Sequence, residues 1–161
     1  MIIPTNILII LVLPKIKTTN FRKPQKIFIK CYIFAGMKDF KKYYIIPTEP
    51  EDLYLALTNA ATIQLWTGEK AEMSTEPGTE FSLWEDSISG LNLEFEEGKK
   101  IVQQWFFGDQ EEPSIVTIKL HPHKQGTSVE LRHTNIPDDE FEDIAEGWDE
   151  SYFGSLIEFY S

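Results

Sequence analysis

The sequence predicts an α+β domain in which a largely antiparallel β-sheet packs against one long C-terminal helix. Two observations and one packing rule support this fold class. Short alternating segments separated by turn residues fill the middle of the chain. A run of apolar residues at helical spacing follows them at the C-terminus. A sheet and a helix that each have one apolar face bury those faces against each other.

The predicted domain begins with a strand and two short helices. The segment KKYYII, residues 41–46, is rich in the aromatic and β-branched residues typical of strands. Thr48 and Glu51 have the spacing of a capping box, and Pro50 suits the first turn of a helix. Apolar residues at helical spacing follow, and a second helix, ATIQLW, is expected to end before Gly68.

About six short strands are predicted next, with turn residues between them. They contain AEMS, EFSLW, LNLEFE, KKIVQQWFF, IVTIKLHP and TSVELRHTNIP, and Glu97 and Gly98 form the turn before the fourth. Strand alternation places two sets of side chains on single faces of the sheet, which we expect to face the helix. These are Leu91, Leu93 and Phe95 in the middle of the sheet, and Val129, Leu131 and His133 in the last strand.

A single amphipathic helix is predicted over about residues 139–160. Asp139 and Glu142 have the spacing of an acidic capping box. The apolar stripe consists of Phe141, Ile144, Ala145, Trp148, Tyr152, Leu156 and Phe159. Ala145, Gly147 and Gly154 are small, so we expect space beside the sheet for a pocket of roughly a few hundred Å³. Trp66, Trp84, Trp105 and Trp148 are expected in the core and the cavity lining.

Charge divides the chain at Met37. Residues 1–36 carry six basic and no acidic side chains, whereas residues 37–161 carry nine basic and all 26 acidic side chains, a net charge of −17. The apolar run ILIILVL is too short to span a membrane, which takes about 20 residues. It also lacks the charged start and the cleavage site of a signal peptide. We expect residues 1–36 to be a leader outside the fold, either a mis-assigned start or disordered, and residues 37–161 to form one domain.

Composition also limits the class of partner and of site. The negative charge of residues 37–161 disfavours nucleic acid and anionic membrane surfaces. The only cysteine, Cys31, lies outside the predicted domain, which excludes disulfides and thiolate zinc sites there and is consistent with a cytoplasmic protein. His121 and His123 flank a proline, but no third ligand is placed by the spacing. No metal and no cofactor are therefore expected.

Few residues offer catalytic chemistry. Ser87 and Ser89 lack the Gly-x-Ser-x-Gly setting of a nucleophile elbow. The acidic run 138–150 lacks the order of carboxylates in a calcium loop and is typical of a solvated helix face. His133 lies on an apolar face, either as a hydrogen-bonded core histidine, which we favour, or as a polar anchor or general acid. We expect that the protein is not an enzyme. A cyclase or hydrolase that uses His133 is the lesser alternative.

Four segments resemble a known family. ALTNAATIQLWTG, GTEFSLWEDSISGLNLEFEEGKKIVQQW, LRHTNIP and EGWDESYFGSL are similar, in order, to activators of the heat-shock protein 90 ATPase, specifically to the C-terminal domain and its stand-alone bacterial relatives. The resemblance covers about residues 41–161. It implies the helix-grip fold of the START-like, birch-pollen-allergen-like superfamily, a curved antiparallel sheet wrapped around the long helix with a cavity between them.

The resemblance implies two kinds of partner. The first is a protein, the ninety-kilodalton heat-shock chaperone, although the family's co-chaperone members carry a further N-terminal domain with no counterpart in this sequence. The second is a small apolar ligand, a lipid or an aromatic compound, because superfamily members bind proteins or small molecules and the fold alone does not choose. The residues expected to line the cavity are Leu91, Leu93, Phe95, Trp105, Val129, Leu131, His133, Phe141, Ala145, Trp148 and Tyr152.

Overall fold

A computed structural model describes residues 36–161 of the chain. The prediction that residues 1–36 form a leader falls almost entirely outside this part. In chain order the elements are β1 (Met37–Ile46), α1 (Pro50–Thr58), α2 (Ala60–Thr67), β2 (Glu80–Leu83), β3 (Ile88–Glu96), β4 (Lys100–Trp105), β5 (Ser114–His123), β6 (Gly126–Pro137), α3 (Phe141–Glu146), a π-helical segment (Gly147–Tyr152) and α4 (Phe153–Tyr160). No helix of the described part is long and apolar enough to cross a membrane.

The six strands form one antiparallel sheet in the order β1-β6-β5-β4-β3-β2. The sheet curves around the C-terminal helical region, and α1 and α2 follow the first strand. This confirms the predicted α+β class and the helix-grip arrangement. The strand β1 begins four residues before the predicted start, because it pairs with nearly the whole length of β6.

The two short helices lie where the sequence predicts them, but their caps differ. Glu49 precedes α1 and makes no side-chain cap, so the predicted capping role of Thr48 is wrong. The Thr48 carbonyl instead accepts a hydrogen bond of 2.7 Å from Oγ1 of Thr127 in β6, a tertiary contact that fixes the backbone there. Asn59 caps α2 through its side chain, and Gly68 ends that helix at a φ of 75°, as predicted.

One predicted strand is missing. The segment AEMS forms only an isolated bridge between Glu72 and Ser82, so five strands follow the helices instead of six. This four-residue segment alternates between apolar and polar residues only once. It forms too few backbone pairs with β2 to extend the sheet.

A β-bulge in β3 overturns the predicted face of Leu91 and Leu93. Asn92 pairs with Gln103 and Glu94 pairs with Val102, so Leu93 is an extra residue in the ladder. Before the bulge the buried residues are Gly90 and Asn92, and Leu91 lies on the outer face of the sheet. Phe95 follows the bulge and packs against the core. Alternation alone cannot locate an inserted residue, and a buried asparagine contradicts the simple polar-out pattern.

The C-terminal helix is also interrupted. Its middle turn, Gly147–Tyr152, is π-helical, which inserts one residue and rotates the buried face of α4. As a result Phe153 is fully buried, whereas Phe159, predicted on the apolar stripe, is 42% exposed. The predicted Asp139 capping box is wrong as well, because Glu140 precedes α3 and makes no side-chain cap.

Aromatic stacking joins the sheet to this helical region. Tyr44 of β1 stacks on Phe153 with ring centroids 4.4 Å apart, and Trp105 of β4 stacks on Trp148 at 4.6 Å. The π-helical segment is further anchored to β1, where Nζ of Lys42 and the hydroxyl of Tyr44 both donate to Oδ1 of Asp149 at 2.7 Å. These contacts hold the π-helical segment against the sheet. The segment thereby faces the β2–β3 end of the sheet, where the candidate site lies.

Candidate functional site

A pocket of about 360 Å³ opens between the β2–β3 end of the sheet and the π-helical segment. Its wall is mostly aromatic and aliphatic, with polar side chains at the rim. The lining residues are Trp84, Ser87, Ile88, Trp105, Asp143, Ile144, Gly147, Trp148, Ser151 and Tyr152. Three of the eleven residues predicted to line a cavity belong to this wall.

The other eight predicted residues lie elsewhere. Val129, Leu131 and His133 are buried in the core beneath the pocket, on the inner face that alternation predicts. Phe141 meets Phe40 edge-on, with ring centroids 6.3 Å apart, near β1. The remaining four, Leu91, Leu93, Phe95 and Ala145, are half-buried and outside this pocket, and Phe95 lines a separate hollow beside α1.

Part of the wall depends on the left-handed backbone of the turn that joins β2 to β3. Trp84, Glu85 and Asp86 have φ angles of 49°, 51° and 68°, a left-handed conformation that costs non-glycine residues about 1 kcal/mol or more each. The Asp86 carboxylate accepts a hydrogen bond from the Ser82 hydroxyl, and Ser87 N–H donates to the Trp84 carbonyl at 3.0 Å. The turn contains no glycine that would indicate a left-handed backbone. Ile88 and the polar residues at the rim were therefore not predicted as part of the wall.

The hairpin brings Trp84 into an aromatic cluster. Its ring lies edge-on to Trp66 at 5.6 Å and to Tyr152 at 5.9 Å between centroids. Trp66 is itself fixed, because its indole N–H donates to the Ala56 carbonyl at 2.8 Å. Edge-to-face pairs of this kind stabilise a fold by about 0.5–1.5 kcal/mol beyond their buried area. The cluster therefore offsets part of the backbone strain and holds Trp84 at the pocket.

His133 is buried behind the pocket, and both of its ring nitrogens are hydrogen-bonded. The indole N–H of Trp148 donates to Nδ1 at 3.1 Å, so the ring proton resides on Nε2. Nε2–H then donates to Oγ of Ser114 at 2.8 Å, and the Ser114 hydroxyl donates to the Thr134 carbonyl at 3.1 Å. Burial lowers the pKa of His133 to about 3, so the ring is neutral at ordinary pH.

The hydrogen bond between His133 and Ser114 has the wrong direction for nucleophilic catalysis. A histidine that activates a serine accepts the serine proton, whereas His133 donates a proton to Ser114. No polar nitrogen of the ring is left for a substrate. The geometry corresponds to the hydrogen-bonded core histidine that the sequence analysis favours.

A second buried network fixes Trp105. Its indole N–H donates to Oε1 of Gln103 at 3.4 Å, and Nε2 of Gln103 donates to Oδ1 of Asn92 at 2.8 Å. Asn92 in turn donates to the Ser74 carbonyl at 3.0 Å. This network explains why a polar residue of β3 faces inward. It also turns the Trp105 N–H away from the pocket, as His133 does for Trp148.

Electrostatically, the pocket wall contains one charged side chain, Asp143, and no lysine, arginine or histidine. Burial raises the pKa of the Tyr152 hydroxyl well above its usual range, so Tyr152 adds no charge to the wall. Among the described residues, no group of three or more histidine, cysteine, aspartate or glutamate side chains is placed to hold a metal ion. Apart from Asp143 and two serines, the wall is therefore uncharged and mostly aromatic or aliphatic.

Comparison with known proteins places these features in context. The family model described as "Activator of Hsp90 ATPase homolog 1-like protein" matches residues 47–159. A Dictyostelium discoideum protein, named activator of 90 kDa heat shock protein ATPase homolog, is 37% identical over 102 residues, which cover 62% of this chain and 27% of that protein. The chain thus matches about a quarter of the length of that relative.

Solved structures show the same fold. The crystal structure of an HSP90 activator from Plasmodium falciparum is 30% identical, with a TM-score of 0.67, and the match covers 75% of this chain and 94% of that one. The solution structure of an Aha1 dimer from Colwellia psychrerythraea has a TM-score of 0.66 at 16% identity, covering 77% and 96% of the two chains. The latter similarity concerns the fold alone.

Proposed function

The chain belongs to the family of activators of the Hsp90 ATPase, and we propose that residues 37–161 form a non-catalytic module that binds the ninety-kilodalton heat-shock chaperone in the cytoplasm. The observation that carries this proposal is the family match over residues 47–159, which spans most of the described elements. The Dictyostelium discoideum relative is named as an activator but is much longer than the matched region. The proposal is therefore limited to binding.

The hydrogen bonding of His133 supports the non-catalytic part of the proposal. A general acid or base needs a ring nitrogen within reach of a substrate. Both nitrogens of His133 are engaged by Trp148 and Ser114, and the ring is fully buried. A cyclase or hydrolase mechanism would have to break this network before the ring could meet a substrate.

An acidic surface on the C-terminal helical region supports protein binding. Residues 138–150 contain eight acidic and no basic side chains. Within the described part of the chain, only Asp138 and Asp149 of these eight form salt bridges, with Lys38 and Lys42. The other six are the exposed residues Asp139, Glu140, Glu142, Asp143, Glu146 and Glu150, which we call the acidic helix surface. Such a surface favours a basic patch on the partner.

Isothermal titration of the full chain with the purified chaperone tests this proposal. We expect saturable binding that weakens as salt rises, because exposed charges are screened. The variant Glu142→Lys/Glu146→Lys should bind about tenfold more weakly, since each lost rim pair costs up to about 1 kcal/mol.

A matched control separates the acidic helix surface from overall charge. Glu76→Lys/Glu80→Lys changes the net charge equally at exposed positions near the start of β2. It should bind nearly as well as the unaltered chain. Equal weakening by both double variants, or no binding at low salt, would refute the proposed surface.

The pocket supports a second candidate function, that of a carrier for a small ligand. Its volume of about 360 Å³ lies within the range of ligand sites, and its wall is largely aromatic. Native mass spectrometry of the purified chain tests this function directly. A co-purifying small molecule is expected, and a bare chain that also binds no compound from an apolar panel would exclude it.

A further inference from the structure

We propose that the pocket selects organic cations, in which an ammonium or guanidinium group is carried on an apolar body and lies against the aromatic wall beside Asp143. This inference rests on the second candidate function, and the probe titration that tests it does not require the chaperone. It narrows the ligand class from any apolar compound to one charge type.

The aromatic wall is the first argument. Trp84, Trp105, Trp148 and Tyr152 all line the pocket, so four π-systems surround a single cavity. Trp148 stacks on Trp105 at 4.6 Å and on Phe153 at 5.7 Å between ring centroids, so these contacts take up its faces and the half-buried ring of Trp84 is the most open to a cation. The ring faces of tryptophan and tyrosine attract a nearby cation through their quadrupoles, most strongly where water is excluded.

The direction of the indole N–H groups is the second argument. The N–H of Trp105 donates to Gln103, and that of Trp148 donates to His133, both away from the pocket. The two deepest tryptophans therefore offer no donor to a carboxylate or phosphate. An anion such as a fatty acid would lose its hydration without gaining an equivalent hydrogen bond from them.

Charge is the third argument. Asp143 is the one ionisable acid or base of the wall other than the neutral Tyr152, and the neighbouring positions of the acidic helix surface are also negative. The basic residues that pair with this helical region, Lys38 and Lys42, lie on β1 and bind Asp138 and Asp149. A negative field at the mouth raises the local concentration of cations and opposes anions.

A matched set of probes tests the inference. Benzyltrimethylammonium is the cation, neopentylbenzene is its uncharged carbon isostere, and phenylacetate is an anion of similar size. Titration is followed by isothermal calorimetry and by the indole N–H signals in NMR spectra. We expect the cation to bind at least about fivefold more tightly than either other probe, as cation–π attraction predicts. Equal or tighter binding of the neutral or anionic probe, or no saturable binding of the cation, would overturn the inference.

Variants assign the selectivity to residues. Asp143→Asn keeps the size of the side chain and should weaken binding of the cation by about three- to tenfold while leaving neopentylbenzene unchanged. Glu76→Gln, at an exposed position outside both the wall and the acidic helix surface, is the control and should change neither. Trp84→Leu should also weaken binding of the cation. A cation affinity that is unchanged in both Asp143→Asn and Trp84→Leu would refute the proposed site.

The cation has two conceivable sources, a free small molecule or a basic side chain of a protein partner. Adding the chaperone to the complex with benzyltrimethylammonium distinguishes them. Displacement of the probe indicates that a partner's lysine or arginine occupies the pocket, whereas retention indicates a free ligand. Either result supports cation selectivity, and failure of chaperone binding alone leaves the probe titration unaffected.

Discussion

The two ends of the aromatic core differ in packing and in backbone strain. At the closed end, defined by His133, Ser114 and Trp148, each side-chain donor and acceptor has a partner and each residue is buried. At the open end, defined by the 84–87 hairpin and Tyr152, the backbone is strained and a pocket remains. The closed end therefore contributes stability, whereas the open end contains a strained turn and a pocket.

The largest expected effect is at the closed end. Trp148→Ala removes a fully buried indole that stacks on Trp105 and donates to His133. Urea denaturation should show a loss of about 3–5 kcal/mol, as for other large aromatic truncations. At the open end, Trp84→Ala should cost less because its ring is only half-buried. A loss below about 1 kcal/mol for Trp148→Ala would contradict the buried position.

The second effect is the pH dependence of the closed end. The pKa of His133 is about 3 in the folded chain, against 6.5 for an ordinary histidine, so the unfolded state binds the proton first as pH falls. Stability from this residue is complete above pH 6.5 and is lost progressively toward pH 3, by about 2 kcal/mol between pH 7 and pH 5.

Variants isolate the contribution of His133 from that of the carboxylates. His133→Gln should remove this part of the pH slope, whereas His123→Gln, at the partly exposed end of β5, should retain it. If His133→Gln does not fold, NMR titration of the His133 ring in the unaltered chain gives the pKa directly. A ring that titrates near 6.5 would contradict the closed network.

A smaller effect of opposite sign is expected at the open end. Glu85 is exposed and has a φ of 51°, which glycine adopts without strain. Glu85→Gly should therefore raise the free energy of unfolding by about 0.5–1 kcal/mol. The control Glu76→Gly lies at an exposed position without a positive φ and should not stabilise the chain. Destabilisation by Glu85→Gly would show that the hairpin is not strained.

The smallest effect concerns the predicted leader. We still expect residues 1–36 to be dispensable, because charge and periodicity change at Met37. A chain that begins at Met37 should unfold cooperatively at about the same temperature as the full chain, with both ends of the core intact. Loss of solubility or of the cooperative transition would show that the first 36 residues contribute to the fold.

The same two ends show how far the sequence predicts the structure. In β6 regular alternation places Val129, Leu131 and His133 inward, and the structure agrees. Local spacing fails where one residue is inserted, as at Leu93 in the bulge and in the π-helical segment before Phe153. One inserted residue reverses the buried face of a strand or rotates the buried face of a helix. The spacing of apolar residues in the sequence does not reveal such an insertion.

The candidate site depends on such irregular elements. Trp105, Trp148 and Tyr152 were predicted because regular strand and helix spacing points them inward. Asp143 of α3 was expected on a solvated helix face, and Ile88 follows the left-handed turn, so neither was predicted as a wall residue. Hydrogen bonding between distant residues, such as Trp148 to His133, likewise requires the three-dimensional structure.

NMR titration of the isotopically labelled chain with unlabelled chaperone shows whether the acidic helix surface binds the chaperone. We expect the backbone amide signals of the acidic helix surface to shift or broaden, added salt to reverse the change, and the signals of His133 and Ser114 at the closed end to change least. An unchanged spectrum in excess chaperone, or changes confined to the outer face of the sheet around Lys119 and Arg132, would contradict the proposed function.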